Sequence, residues 1–341
     1  MAKFSRRDFL RISAMALGSA TLSKLLAACG RAGSATSQPI ATFPSPMKTA
    51  VLETASAPST ITASAPTPEP ISLPDVAVTR NGAPEDLVRR AIAALGGMER
   101  FVAKGANVII KPNICVAYHG YEYAATTNPW VVSTLVKMCL EVGARRVQVM
   151  DFPFGGTPQA AYAISGIQEQ VEAAGGEMVL MPIFKFVTTA IPNALHLKQA
   201  NVFEDILKAD TVINVPIAKV HDLSRLTLGM KNLMGVVRDR PILHGHISQN
   251  LADLASLVRP KLTVIDAVRV MVSNGPTGGS LDDVKKLDTV VASPDIVAAD
   301  SYGATLFGLQ PDALGYVVAG AAMGLGRSDL QNLRIEEIAV S

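Results

Sequence analysis

Asn107-Val108-Ile109-Ile110-Lys111-Pro112-Asn113 precedes a helix-patterned run from Pro129 to Val142, stopped by Gly143, and then Val147-Gln148-Val149-Met150. Two short apolar runs joined by a helix make a βαβ unit, because parallel strands need a crossover of about this length. The rhythm extends outward on both sides. Upstream, Val76-Ala77-Val78 reads as a strand. Pro84 then opens a helix with apolar positions at Leu87, Ala91, Ile92 and Leu95, closed by Gly96-Gly97. Downstream come a helix over 160–174, a strand at Met178-Val179-Leu180, and the strand Thr211-Val212-Ile213-Asn214-Val215. They are followed by a helix over 248–258, strands at 262–265, 289–292 and 335–340, and helices beginning near Pro294 and Pro311. Alternation of this kind predicts an α/β fold, a mostly parallel sheet with helices on both faces.

Ligands of such sheets bind beyond the C-terminal ends of the strands, so polar residues that follow apolar runs are the candidates. Lys111 and Asn113 stand at one such mouth, with Pro112 fixing the turn. A lysine there either holds a carboxylate or phosphate as a point charge or is a solvated loop residue. Pro216-Ile217-Ala218-Lys219-Val220-His221 repeats the arrangement after Val212–Val215, and two lysines at neighbouring strand ends would make a local anion site. In Thr227-Leu228-Gly229-Met230-Lys231-Asn232-Leu233-Met234-Gly235, glycines flank a Lys-Asn pair. Met230, Leu233 and Met234 read as core, whereas Lys231 and Asn232 are expensive to bury unless paired.

These residues sort into roles. Lys231, His221 and His244 are the expected catalytic groups, and Lys111, Asn113, Lys219 and Asn232 the expected ligand-binding ones. His244-Gly245-His246 can present two histidines to one metal, with His221 as a third nitrogen. No His-Glu-x-x-His helix accompanies them, so acid–base or hydrogen-bonding duty stays open beside metal ligation. Asp266 ends the strand at 262–265. Asn274-Gly275-Pro276-Thr277-Gly278-Gly279 lacks both G-x-G-x-x-G spacing and a Walker lysine, which leaves Gly275 and Gly278 as members of an anion-cradling loop. Asp295 is either a first-turn carboxylate complementing a helix dipole or a catalytic one.

The N-terminal end carries a different message. Ser5-Arg6-Arg7-Asp8-Phe9-Leu10 precedes an apolar run over 12–28 that is shorter and less hydrophobic than the ~20 residues of a bilayer span. It ends at Leu26-Ala27-Ala28-Cys29. The arrangement is similar to a twin-arginine export signal closed by a bacterial lipobox. The resemblance implies a signal peptide over 1–28 with Arg6 and Arg7 as its export signal, and lipidation of Cys29. Its partners would be the twin-arginine translocase, the lipoprotein-processing enzymes and a membrane entered through the lipid. That route carries folded proteins, often already loaded, so a metal or organic cofactor is open. Residues 29–74 hold the lipidated Cys and a Ser/Thr/Ala/Pro-rich tether with little to bury, and 75–341 the α/β domain.

The chain has 31 basic and 29 acidic residues. Residues 1–28 contain five of the former and one of the latter, so the remainder carries 26 and 28, a net charge of −2. No basic excess argues for nucleic acid. Beyond Cys29, only Cys115 and Cys139 remain, and two thiols cannot supply the four thiolates of an ordinary iron–sulfur cluster. Their apolar neighbours point to buried free thiols.

Taken in order over residues 76–310, Lys111-Pro112-Asn113, Lys219-x-His221, Lys231-Asn232-Leu233-Met234-Gly235, Asp266 and Gly275-Pro276-x-Gly278 resemble the domain-of-unknown-function 362 family. The resemblance implies the α/β fold and a site. It also implies the iron–sulfur association many members owe to a ferredoxin-like cysteine module, and this chain has no such module. Gly229-x-Lys231 with a histidine nearby also resembles, as a remote analogy, lactate racemase, whose lysine carries a nickel-pincer cofactor. Three readings follow: an enzyme acting on an anionic small molecule, of redox or isomerase type; a lipoprotein receptor that binds an anion or metal; and an envelope scaffold.

Overall fold

A computed structural model describes residues 73–340. The export signal with Arg6 and Arg7, Cys29 and the tether lie outside the described residues. In chain order the elements are β1 (Val76–Arg80), α1 (Pro84–Ala94), β2 (Asn107–Pro112), α2 (Pro129–Glu141), β3 (Arg146–Val149), α3 (Pro158–Ile164), α4 (Ile167–Ala173) and β4 (Glu177–Met178). The hairpin β5 (Phe186–Ala190) and β6 (Gln199–Phe203) leads through α5 (Glu204–Lys208) to β7 (Thr211–Val215), β8 (Ile217–His221) and β9 (Arg225–Thr227). Then come α6 (Gly229–Asn232), α7 (Pro241–His244), α8 (Ile247–Val258), β10 (Leu262–Met271), β11 (Val284–Ser293), α9 (Ile296–Thr305), α10 (Gly315–Ala322) and β12 (Ile335–Ala339).

The main sheet runs β12-β1-β11-β10-β7-β2-β3-β4, with β8 paired to β10 and β9. Neighbours from β10 through β7, β2 and β3 to β4 are parallel, as are β1 and β12, while β11 lies antiparallel between β1 and β10. Side chains of period 2 divide into two cores. Val76, Val78, Ile109 and Val212 point to one, which α8, α9 and α10 cover; Ala77, Val108, Ile110 and Ile213 point to the other, covered by α1, α2, α3 and α4. Helices on both faces of a mostly parallel sheet are what the alternation required.

Local chemistry explains the boundaries. Asn128 caps α2 by accepting the Trp130 N–H at 3.0 Å, and Pro129 follows at the first helical position, where its missing N–H is harmless. The helix expected over 160–174 is two, because Gly166 turns left-handed at φ 73° between α3 and α4. Two segments taken for strand-end loops are strand: Lys111 lies within β2, and residues 217–221 form β8. Pro216 interrupts the chain after β7, but the backbone resumes pairing at once, Ile217 opposite Asp266 and Lys219 opposite Thr227. The β5–β6 hairpin was not foreseen, since its mixed polar sequence offers little alternation.

Strand order also locates the site. From β2 the chain steps outward to β3 and β4, then returns to the other side of β2 as β7 and continues toward β10. The order reverses between β2 and β7, and a crevice opens beyond the C-terminal ends of strands at such a switch point.

Candidate functional site

A cavity of about 420 Å³ fills that crevice, within the usual size of small-molecule sites. Its walls bring together seven residues expected from sequence: Lys111, Asn113, Lys219, His221, Lys231, Asn232 and His244. Phe152, Phe154, Leu223, Met234, Pro241 and Pro276 give it apolar surface, and Phe154 and Leu223 are exposed.

Two of the lysines are built into the framework. Lys111 is fully buried, and its three N–H groups meet Asp151 Oδ1 at 2.8 Å, Pro112 O at 2.9 Å and Asn232 Oδ1 at 3.0 Å. Burial still holds its ammonium below the usual lysine range, with Asp151 pulling the other way. It is therefore no solvated point charge at a strand mouth but one half of a buried ion pair. Gly235 lets the pair form, because a Cβ there would collide with Asp151 Oδ1 and Lys111 Nζ. Lys219, 1% exposed, donates among Ala125 O at 2.6 Å, Asn113 Oδ1 at 3.0 Å and Pro276 O at 3.0 Å, with Cys115 Sγ at 3.3 Å.

Asn232 ties these cations together. Its Oδ1 accepts from Lys111 and from Asn113 Nδ2 at 2.9 Å, and its Nδ2 donates to Lys111 O at 3.1 Å and Asn214 Oδ1 at 2.9 Å. All four hydrogen-bonding positions of the amide are used, as a buried amide requires. Asn214 in turn donates to Gly229 O at 2.9 Å. The start of α6 is pinned from the opposite side by Asp300 on α9, whose buried carboxyl accepts the Gly229 and Met230 N–H groups at 2.5 and 2.9 Å. Burial pushes Asp300 up to about 7 against the pull of those two donors. Asp266 does not end its strand, since β10 runs on to Met271; its buried carboxyl accepts from Asn128 N at 2.7 Å and Val268 N at 3.0 Å, and burial raises it to about 6.

Lys231 is held by this scaffold yet given nothing to bind. It is 9% exposed, lines the cavity, and its Nζ has no hydrogen-bond or ion-pair partner among the described residues. Burial, then the charges of Lys219 and Arg240, push it down to about 7. Among the described residues other lining donors are also unmatched: Arg240 Nε and Nη2 and the Thr227 hydroxyl are buried without partners. The Arg240 guanidinium sits 5.2 Å from the Phe152 ring centroid.

The histidines separate. His221 Nδ1 accepts the Leu223 N–H at 3.1 Å, which leaves the ring proton on Nε2. Burial and the charges of Lys231 and Lys219 push it down to about 3, so the imidazole is neutral near pH 7. His244 lies at the exposed rim on α7, its pKa lowered by partial burial and by Lys231 and Arg240. His246 is outside the cavity lining. Its ring packs against His196 at 4.1 Å, and His196 Nδ1 meets Asn250 Oδ1 at 2.7 Å. The expected His244/His246 metal pair is thus divided between two environments, because α7 ends between them. Among the described residues no group of three or more His, Cys, Asp or Glu side chains is placed to hold a metal ion. Cys115 and Cys139 are buried free thiols on separate elements, a donor set that does not fit an iron–sulfur cluster.

The Gly275–Gly278 loop contributes indirectly. A Cβ on Gly275 would meet the Val220 carbonyl, and Gly278 donates to Asn274 O at 2.9 Å. Neither glycine lines the cavity; the loop delivers the Pro276 carbonyl to Lys219. Asp295 caps α9, accepting from Val297 N at 2.8 Å and Ala298 N at 2.9 Å. The sequence assigns no site role to Asp151, Asn214, Arg240, Cys115 or Asp300, although Cys115 is legible as a buried thiol and Asp300 as a carboxylate near a helix start. Asp151 follows the strand 147–150 and met the same strand-end criterion that selected Lys111; the others carried no spacing signal.

Residues 108–305 match the family described as a domain of unknown function (DUF362), and the chain belongs to that family. A thylakoid-associated protein of Synechocystis sp. is 28% identical over 257 residues, covering 70% of this chain and 74% of its own length. Among solved structures, the lactate racemase apoprotein of Thermoanaerobacterium thermosaccharolyticum aligns with TM-score 0.46 at 13% identity, covering 66% of this chain and 55% of that one. A protein from Thermotoga maritima aligns with TM-score 0.41 at 11% identity over 67% and 60% of the respective chains. This chain thus spans a little over half the length of either solved structure.

Proposed function

We propose that the switch-point cavity is an enzyme site for a small anionic molecule, substrate or organic cofactor, with Lys231 as its reactive group. The observation that carries the reading is the Lys231 amine, nine-tenths buried and unpartnered in a cavity that also holds Lys111, Lys219 and Arg240. Leaving a buried donor unmatched costs about 1–3 kcal/mol. An anion that pairs with Lys231 in the cavity and draws on Arg240 and Thr227 offsets that cost for their buried donors.

Roles follow from the partners. Lys111 and Lys219 supply fixed positive potential, because every N–H they own is already given to the protein. Lys231 exchanges its proton near neutral pH, the condition for acid–base work. His221, neutral with its proton on Nε2, offers a hydrogen bond instead of moving protons, and His244 is the rim residue available for proton exchange with solvent. The same proposal places the domain outside the cytoplasm, tethered through a lipid on Cys29 after export directed by Arg6 and Arg7. The order of export signal, small-residue cleavage site and cysteine supports it, as does a relative described as thylakoid-associated. No helix among the described residues is long and apolar enough to cross a membrane.

The test is calorimetric titration of the purified domain with oxalate, alongside native and denaturing mass measurement of the exported protein. Micromolar to millimolar binding that weakens at least tenfold in Lys231→Met, with the fold intact, supports the site. Equal oxalate affinity in the two proteins sinks it.

A further inference from the structure

We infer that Lys231 is a Schiff-base lysine, and that the substrate class of this cavity is a small carbonyl compound bearing a carboxylate, such as a 2-oxo acid. The inference rests on the anion-site reading and goes one step deeper, to the bond formed.

Three arrangements carry it. First, an amine acts as a nucleophile only with its lone pair free, and Lys231 is the cavity lysine whose ammonium no acceptor or carboxylate among the described residues stabilises. Of the two lining carboxylates, Asp151 is taken by Lys111 at 2.8 Å, and Asp222 makes no ion pair with Lys231. Secondly, burial and then the neighbouring cations Lys219, Arg240 and Lys111 disfavour the ammonium form, and the same cations attract a carboxylate. The enclosed, cationic cavity thus both frees the amine and draws in the anion. Thirdly, the backbone bearing Lys231 is fixed on both sides, by Asp300 to Gly229 and Met230 and by Asn214 to Gly229 O. A covalent intermediate needs a nucleophile held in place.

The step balances without an oxidant or reductant. The Nζ lone pair adds to the carbonyl carbon, the C=O π electrons pass to oxygen, and a proton moves from nitrogen to that oxygen to give a carbinolamine. The C–O bond then breaks, and water leaves as the C=N bond forms. Overall, amine, carbonyl and one proton yield an iminium ion and one water. His221 Nε2–H is a donor in the same cavity for the oxygen that accumulates charge.

The experiment is reductive trapping. The exported full-length protein is incubated with pyruvate and cyanoborohydride at neutral pH, and the adducts are located by peptide mass mapping; oxalate binding is measured in parallel. Trapped pyruvate concentrated on Lys231 over all other lysines, suppressed by excess oxalate and lost in Lys231→Arg, is the expected result. Labelling of surface lysines with none at Lys231, while oxalate still binds, overturns the Schiff base and leaves the anion site standing. Absence of both trapping and oxalate binding removes both. The wild-type measurement decides the point even if the variant does not fold.

Discussion

The floor of the cavity and the turn above it bury the same functional group on opposite terms. On the floor, β2 and β8 carry Lys111 and Lys219, and every ammonium N–H faces a carboxylate, carbonyl or amide oxygen. Above it, α6 carries Lys231 with no partner among the described residues. A partnered buried cation is committed to the fold, and its removal strands the groups around it. An unpartnered one destabilises the free protein and is retained for what it does to a ligand. The comparison separates structural lysines from a working one, which residue type and strand-end position alone cannot do.

The largest effect expected from this contrast is on the floor. Lys111→Ala or Asp151→Asn should lower stability by about 3–5 kcal/mol, because each leaves a buried charge without its counterpart. An unfolding free energy from denaturant titration within about 1 kcal/mol of wild type would erase the distinction. Next in size is Asp300→Asn, which replaces a double acceptor by an amide whose NH2 donor faces a backbone N–H, at about 1–3 kcal/mol. Its pH dependence has a definite sign. Asp300 titrates near 7 when folded against about 4 unfolded, so the folded state binds more protons across that interval and wild-type stability declines as pH rises through it. The cost of the Asn variant should therefore be greatest near pH 4 and shrink toward pH 8 in urea titrations.

Lys231→Met sharpens the comparison from the other side. The folded pKa near 7 lies below the unfolded value of about 10.4, so the unfolded state binds more protons between them and wild-type stability rises from pH 7 to 10. Thermal unfolding at pH 6 should find Met at least as stable as Lys, an advantage that fades toward pH 10, while oxalate affinity falls about tenfold or more. The smallest effect is predicted for His246→Ala, exposed and outside the lining: a stability change within about 0.5 kcal/mol and unchanged oxalate binding.

Much of the fold was legible because βαβ units announce themselves locally. Val108-Ile109-Ile110, the 129–141 helix and Val147-Gln148-Val149 each bury a surface whose period can be counted along the chain. Strand-end logic then placed seven of the candidate residues in one cavity, since a parallel sheet gathers its C-terminal ends. The logic failed where the decisive neighbour is remote. Asp300 lies 71 residues from the Gly229 N–H it accepts, and Asn232 lies 121 from Lys111. His244 and His246 parted because a short helix ended between them, an event set by packing and not by spacing.

The sequence by itself determined the alternation of strand and helix, and marked lysines, asparagines and histidines that follow apolar strands as the candidates; strand order then placed the crevice. Only the tertiary structure decided which lysine is spent on the protein and which is left free. The reason is physical: a side chain's type states what it can bond, but whether it is bonded depends on acceptors brought within 3 Å from distant parts of the chain.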